Sequence, residues 1–379
     1  MFGAEELETV AQRWSTNQAG SDAFSADVYW LAVPEVQARH QRRCCAGRSG
    51  LNWVEYCLTE HPATPTARRM LSIGCGAGGL ERQLHTLGAF STCDALDIAP
   101  GAIETARQAA HAAGISTINY ECHDIAALDL PTAHYDAVWF NGSLHHVQNL
   151  ETVLDRVGRA LTKDGRLYFN EYVGANHFDF PQAQKNAIAN AFHLIPERYR
   201  LSFNPADHGM LATQAPIPNP EEVKRVDPSE AVRAQDILAI AEERFDMLAC
   251  NAMGGTLLQF LLSGIAGNFK SADPDSIQIL DMLLKIEDAL IDSGALASDF
   301  VIVCAAPKQT ESTHDAAKPR RFPPAATPAT ANAPPPAVAL DDPYAENARL
   351  LAIIEKLQKD NRWALDEIEL LRRQGEAAQ

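Results

Sequence analysis

From residue 69 onward, short apolar runs alternate with longer stretches whose apolar positions recur at helical spacing, the pattern of parallel strands joined by helical crossovers. Residues 69–73 read as a buried strand. It runs into Gly74, Cys75, Gly76, Ala77, Gly78 and Gly79, after which Leu80, Leu84 and Leu87 mark one helix face and Gly88 its stop. A second strand over 91–96 ends in Asp97, followed by Ile98; Pro100 opens a helix with Ile103, Ala106 and Ala110 on one face, and Gly114 closes it. The third strand, 118–122, ends at His123, Asp124 and Ile125. The fourth, 135–140, ends at Asn141, Gly142, Ser143, Leu144, His145 and His146. A helix carrying Leu150, Val153, Leu154, Val157 and Leu161 then leads through Asp164 and Gly165 to a fifth strand, 166–170, ending at Glu171 and Tyr172. Polar residues thus collect where strands end, the edge at which open α/β sheets bind ligands.

The flanks differ from this core, which spans 67–175. Residues 1–66 read as a helical cap in which Trp14, Tyr29, Trp30 and Trp53 pack against the next domain, with one of them walling a substrate pocket as the alternative. Residues 176–243 hold two helical stretches around a loop rich in proline (Pro205, Pro216, Pro218, Pro220), and an insertion at a ligand-binding edge reads as a lid or substrate wall. Residues 309–343 are a disordered, partly polyproline spacer. In 344–375, Asn347, Leu350, Ile354, Leu357, Asn361, Ala364, Ile368 and Leu371 follow at alternating spacings of three and four, which predicts a coiled coil with Asn361 setting register. Its partner is a second copy in a parallel dimer or a helix of another protein. The alternative is a single amphipathic helix folded back on the domain.

Composition narrows the partners. The 379 residues are 46% apolar and 21% charged, enough for one large core with something appended. A net charge of −17 argues against nucleic acid, whose phosphates require a basic surface. Eight cysteines without a C-x-x-C pair or a secretory signal read as reduced thiols in a cytoplasmic protein. The most apolar window, 256–266, is too short to span a bilayer, so membrane insertion is not expected.

Gly74, Gly76 and Gly78 permit a sharp turn and a close backbone approach to a ligand, so the turn reads as a nucleotide-cofactor cradle. Gly74, Gly76 and Gly79 also satisfy the dinucleotide pattern G-x-G-x-x-G, so the turn alone does not name the cofactor. Asp97 stands at the end of the neighbouring strand, where a carboxylate accepts both hydroxyls of a ribose. No His/Cys group has metal-ligand spacing along the chain, so no metal is expected.

The succession LSIGCGAGG, ALDIAPGAIETA, CHDI, YDAVWFNGSLHHV and LTKDGRLYFNEYVG is similar to the class I S-adenosylmethionine-dependent methyltransferases, in the branch whose fourth strand ends in Ser-Leu-His-His. Further on, EYVG, DPSEAVR, Gly254-Gly255 and SDFVIV resemble a subgroup associated with bacterial polysaccharide biosynthesis. The resemblance implies an α/β fold: a doubly wound, Rossmann-like seven-stranded sheet with a helical cap, a helical insertion and the coiled coil. Residues 244–308 would complete it, with 244–250 and 300–305 as strands six and seven. It implies S-adenosyl-L-methionine as cofactor, held by Gly74, Cys75, Gly76 and Gly78, with Asp97 on the ribose, Ile98 and Ile125 on adenine, Asp124 on the adenine amine, and Asn141 with Ser143 at the methionine end. It implies a small-molecule or glycan acceptor, a sugar hydroxyl of a surface polysaccharide or lipid-linked precursor, with a quinone or other lipid as the alternative. A hydroxyl acceptor must lose a proton, and Glu171, His145 and His146 are the candidate bases; adjacent histidines in an extended turn point different ways, so at most one would meet substrate and the other would cap or pack. The subgroup has Pro and Asn after EYVG where this chain has Gly174, Ala175, Asn176 and His177, which sets that loop apart from the pattern. A nicotinamide oxidoreductase and a non-catalytic scaffold on the same fold are the rival readings.

Overall fold

The computed structural model describes residues 3–16, 26–63, 68–127 and 129–308; the spacer and the heptads of 344–375 lie outside the described residues. Helices α1 (Ala4–Thr16), α2 (Pro34–Cys44) and α3 (Trp53–Glu60) precede the sheet. The alternation read from the sequence follows as β1 (Arg69–Ile73), α4 (Gly79–Thr86), β2 (Thr92–Asp97), α5 (Pro100–Ala112), β3 (Ile118–Cys122), β4 (Tyr135–Asn141), α6 (Leu150–Ala160) and β5 (Leu161–Tyr172). Leu161, expected on the helix, opens β5 instead and pairs with Tyr135; its buried side chain suits either period, and the ladder is irregular beside it. The chain continues through α7 (Gln182–Phe192), α8 (Pro220–Val226), α9 (Ile237–Arg244), β6 (Phe245–Gly254), α10 (Leu258–Leu261), α11 (Pro274–Asp292) and β7 (Phe300–Pro307).

These strands form one seven-stranded sheet in the order β3-β2-β1-β4-β5-β7-β6. The first five are parallel, and β7 lies antiparallel between β5 and β6. The sixth strand runs to Gly254, past the expected 244–250. The winding reverses between β1 and β4, so the carboxyl ends of β1, β2 and β4 flank the crevice where doubly wound sheets take ligands.

Alternating side chains of the central strands feed two apolar cores on opposite faces of the sheet. Leu71, Ile73, Val138 and Phe140 pack with α6 and α9. Met70, Trp139 and Tyr168 pack with residues of α3, α4 and α5. A third core has no counterpart in the sequence reading. Residues of α7, α10 and α11 bury one another with Trp30, Val33 and Val36, and Leu257, Leu258, Leu261 and Leu262 of the most apolar window are fully buried there. The insertion and the 255–296 segment are therefore one helical layer.

A buried cation ties that layer to the cap. Arg39 of α2 reaches Glu287 of α11 at 2.7 Å, with both side chains at most 3% exposed, and donates to the Met253 carbonyl at 3.0 Å. Glu287 accepts in turn from the amides of Leu257 and Leu258 at 2.8 and 3.0 Å. Arg39 also pairs with Asp288 of α11, so it is the loss of Arg39 that would strand a charge, leaving Glu287 buried without a cation at a cost of about 3 to 5 kcal/mol. Gly254 is required here: its φ is +97°, and a Cβ would lie 2.2 Å from the Arg39 Nη1.

Candidate active site

On the cofactor side, the amides of Gly74 and Cys75 donate to the Leu96 carbonyl at 2.7 and 3.0 Å, bending the chain off the end of β1 over β2. Gly74, Gly76 and Gly78 all have positive φ. A Cβ on Gly74 would lie 2.2 Å from that of Ser143, and one on Gly78 would lie 2.3 Å from the Tyr120 hydroxyl oxygen. Gly76 differs: nothing stands within 4 Å of its missing Cβ, so its open face can receive a ligand. The buried Asp97 carboxylate accepts from the amides of Gly76 at 2.8 Å and Ala99 at 2.9 Å. Burial raises its pKa against these backbone hydrogen bonds. A carboxylate has about four acceptor sites, more than its backbone partners fill, so Asp97 keeps capacity to accept from a ribose hydroxyl. Cys75 is a neutral thiol, its pKa pushed far up by burial.

Ile98, Asp124 and Ile125 are half-buried at the ends of β2 and β3, next to Asp97 in the sheet. Exposed Asn141 ends β4 and accepts from Asn170 at 2.9 Å. Ser143 departs from its expected placement: its hydroxyl is buried and donates to the Ile73 carbonyl at 2.6 Å, fastening the ends of β1 and β4 together.

On the acceptor side, Glu171 also sits elsewhere than a base contacting substrate would. It is 1% exposed; Oε1 accepts from the amides of Ser143 and Leu144 at 2.8 and 2.7 Å, and Oε2 lies 2.7 Å from His145 Nδ1. It lies beneath the turn and holds it. The turn is a 3-10 coil over Leu144–His146, which stacks the two histidine rings 4.2 Å apart at 39° rather than pointing them apart.

The partners that the sequence reading missed come from the insertion. Glu230 Oε1 lies 3.5 Å from His145 Nε2. Ser229 Oγ lies 3.0 Å from His146 Nδ1 and donates to Asp227 Oδ1 at 2.6 Å. Because the serine hydrogen is spent on Asp227, Ser229 accepts from His146 Nδ1–H, which leaves Nε2 as the lone-pair nitrogen of His146. Trp14 of α1 donates to Asp227 Oδ2 at 3.1 Å and stands edge-on to His146 at 5.2 Å, so this cap aromatic does wall the site. The other three pack: Tyr29 on Trp30, Trp30 on Phe300, and Trp53 on Trp139. The divergent loop after β5 faces the insertion: His177 donates its amide to the Ala231 carbonyl at 2.9 Å, and Asn176 accepts from Gln235 at 3.0 Å. The one signal in the sequence was DPSEAVR, which contains Asp227, Ser229 and Glu230.

Burial alone would lower the pKa of His145, but the carboxylates of Glu171 and Glu230 outweigh it and raise it to about 10. His146 is lowered, by burial and then by the charge on His145. Burial would raise Glu230, yet the imidazolium beside it draws it down. At neutral pH the pair is thus one imidazolium and one neutral imidazole with a free lone pair. The structure also brings His145, His146 and Glu230 together with ligand atoms within 4.8 Å of one another, an arrangement that chain spacing did not reveal.

Comparison with known proteins agrees with this core. Residues 71–169 match the family model described as "Methyltransferase domain". The chain is similar to a ubiquinone biosynthesis O-methyltransferase of Methylocella silvestris, 42% identical over 101 residues, covering 27% of this chain and 38% of that one. It is also similar to a malonyl-[acyl-carrier protein] O-methyltransferase of Bacillus cereus, 30% identical over 115 residues, covering 30% and 41%. The chain thus spans about two fifths of the length of these curated relatives. Among solved structures, geranyl diphosphate C-methyltransferase from Streptomyces coelicolor A3(2) aligns over 81% of this chain and 99% of its own, at 12% identity and a TM-score of 0.46. The matched residues 71–169 lie on β1 to β5, the parallel part of the sheet that carries the glycine turn and Asp97. All eight cysteines are free thiols, and among the described residues no helix is long and apolar enough to cross a membrane.

Beside the glycine turn, Glu81 of α4 is fully buried and accepts from the Ser72 hydroxyl; its neighbours are Arg82, Asp97, Cys75, Cys93 and Tyr120. Burial pushes its pKa up to about 7 against the Ser72 hydrogen bond, from an ordinary 4.5. The fold therefore favours the protonated acid, so Glu81's contribution is complete below pH 4.5 and is lost as pH rises through 7. Buried Asp299 adds a fall in the same direction, its pKa also raised to about 7 by burial. Chemical denaturation across pH 4 to 8 should show Glu81→Gln with a shallower fall than the parent, by up to about 1.4 kcal/mol per pH unit. Identical slopes would contradict the assignment.

Proposed function

We propose that the protein binds S-adenosyl-L-methionine in the crevice at the ends of β1, β2 and β4 and O-methylates a sugar hydroxyl of a surface polysaccharide or its lipid-linked precursor. The observation that carries this reading is the division of the crevice: an open glycine face and a buried carboxylate at Gly76 and Asp97 on one side, and at the end of β4 a histidine pair contacted by Glu230 and Trp14. Bound S-adenosyl-L-methionine would supply a methyl group on a positively charged sulfur. Asp97 accepts the ribose hydroxyls, Gly76 gives the backbone approach, and Ile98, Asp124 and Ile125 take the adenine. Glu171 positions the turn. His145, His146 and Glu230 face the acceptor and lower the cost of its proton loss as oxygen attacks in line.

The sugar acceptor is supported by the subgroup resemblance, because DPSEAVR supplies the wall opposite the histidines. The names of the similar ubiquinone O-methyltransferases favour a second reading, a phenolic or quinol hydroxyl. Both place a hydroxyl at the same turn.

Asp97→Ala should weaken S-adenosyl-L-methionine binding by about 1 to 3 kcal/mol in calorimetry, through ribose hydroxyls left without an acceptor. Unchanged affinity would remove the cofactor assignment. Mass spectrometry of glycans and quinones from cells with and without the gene decides the acceptor: a methylated sugar lost with the gene supports the first reading, and a methylated quinone lost in its place supports the second.

A further inference from the structure

Three carboxylates, Glu171, Glu230 and Asp227, gather around two imidazoles and the Arg13 guanidinium, whose Nε lies 3.6 Å from Asp227. We propose that His145, His146 and Glu230 hold a divalent transition-metal ion of the zinc type at the acceptor end of the crevice. The inference rests on the methyltransferase reading for the place of the acceptor, and on the cluster's own geometry for the ion.

Distance is the first argument. His145 Nε2 and Glu230 Oε1 stand 3.5 Å apart, longer than a good N–H···O hydrogen bond. Two ligands each about 2.0 to 2.1 Å from a tetrahedral ion are separated by roughly 3.4 Å. The third ligand atom, from His146, lies within 4.8 Å of both, so a side-chain shift of about an ångström closes the set around an ion of this size. Imidazole and carboxylate donors suit such an ion.

Each histidine is also oriented as a metal ligand is. His145 turns Nδ1 to the Glu171 carboxylate at 2.7 Å, and His146 turns Nδ1 to Ser229, which is backed by Asp227. A ligating imidazole almost always gives its other N–H to such a partner, which fixes ring and tautomer and leaves Nε2 for the ion. The charge agrees. An ion that takes His145 Nε2 displaces the proton held there, and with both imidazoles then neutral the three carboxylates and Arg13 leave a net of two negative charges, which a divalent ion cancels.

The ligands come from two parts of the chain: the histidines from the turn after β4, and Glu230 from the insertion, where the Glu230 carbonyl faces His177 Nδ1 at 2.9 Å. The ion would therefore pin the helical layer onto the core. Three protein ligands leave a position open, as catalytic rather than structural sites do, and an acceptor oxygen bound there would lose its proton more readily.

The full-length protein, stripped with a chelator, is titrated with Co²⁺ and Zn²⁺ by calorimetry and visible absorption. One saturating equivalent is expected, with a Kd of about a micromolar or below and no thiolate-to-cobalt absorption. Glu230→Gln should weaken it at least 100-fold, and Asp227→Asn roughly 10- to 100-fold. Glu230 is near-isosteric with Gln and its side chain is 21% exposed, so the variant should fold, which its melting curve checks. Absence of a saturating equivalent, binding unchanged in Glu230→Gln, or a thiolate signal would each overturn the proposal. S-adenosyl-L-methionine titrated into the same stripped protein keeps the two readings separate: cofactor binding without metal binding overturns only the ion, and loss of both overturns the methyltransferase reading.

Discussion

The carboxylate of Glu171 is the contact on which the acceptor half of the crevice depends. It leaves the end of β5 and meets the Ser143–His145 turn from below, taking two backbone amides on one oxygen and an imidazole on the other. A buried carboxylate in such a place is stable only when its acceptor sites are filled with good geometry. The turn after β4 is thereby forced into the one shape that aims both amides downward. That shape stacks the histidines and turns them to the insertion. Ser143 completes the constraint from the other side, since its hydroxyl is spent on β1.

The cofactor half is held by different means. Asp97 fixes the glycine turn and the start of α5 through the amides of Gly76 and Ala99, and no side chain of the insertion takes part in those two bonds. The crevice thus has one wall built within consecutive β-α units and another assembled from distant segments. The second wall needs the helical layer in place, which is where the Arg39–Glu287 pair and the third apolar core act. Stability and function meet there: the contacts that seat the layer on the cap also deliver Asp227, Ser229 and Glu230 to the histidines.

The first wall was legible in the sequence and much of the second was not. Strand ends and helix starts at Gly74, Asp97 and Pro100 follow from local periodicity and backbone chemistry, so a linear reading finds them. Glu230 and Trp14 reach the histidines only through tertiary packing, which leaves no mark on spacing. The same holds for the apolar window of 256–266, whose local pattern shows burial without saying against what. Ser143 and Glu171 were placed at the right strand ends, yet their atoms are turned inward. A polar residue at a ligand-binding edge satisfies a backbone group or a ligand equally well by sequence, and only the hydrogen-bond partners decide.

The most direct test of the central role of Glu171 is amide hydrogen exchange, read residue by residue, in the parent and in Glu171→Gln. The amides of Ser143 and Leu144 should lose protection by tenfold or more while those of Gly76 and Ala99, bound to Asp97, keep theirs. Equal protection of Ser143 and Leu144 in the two proteins would contradict the account.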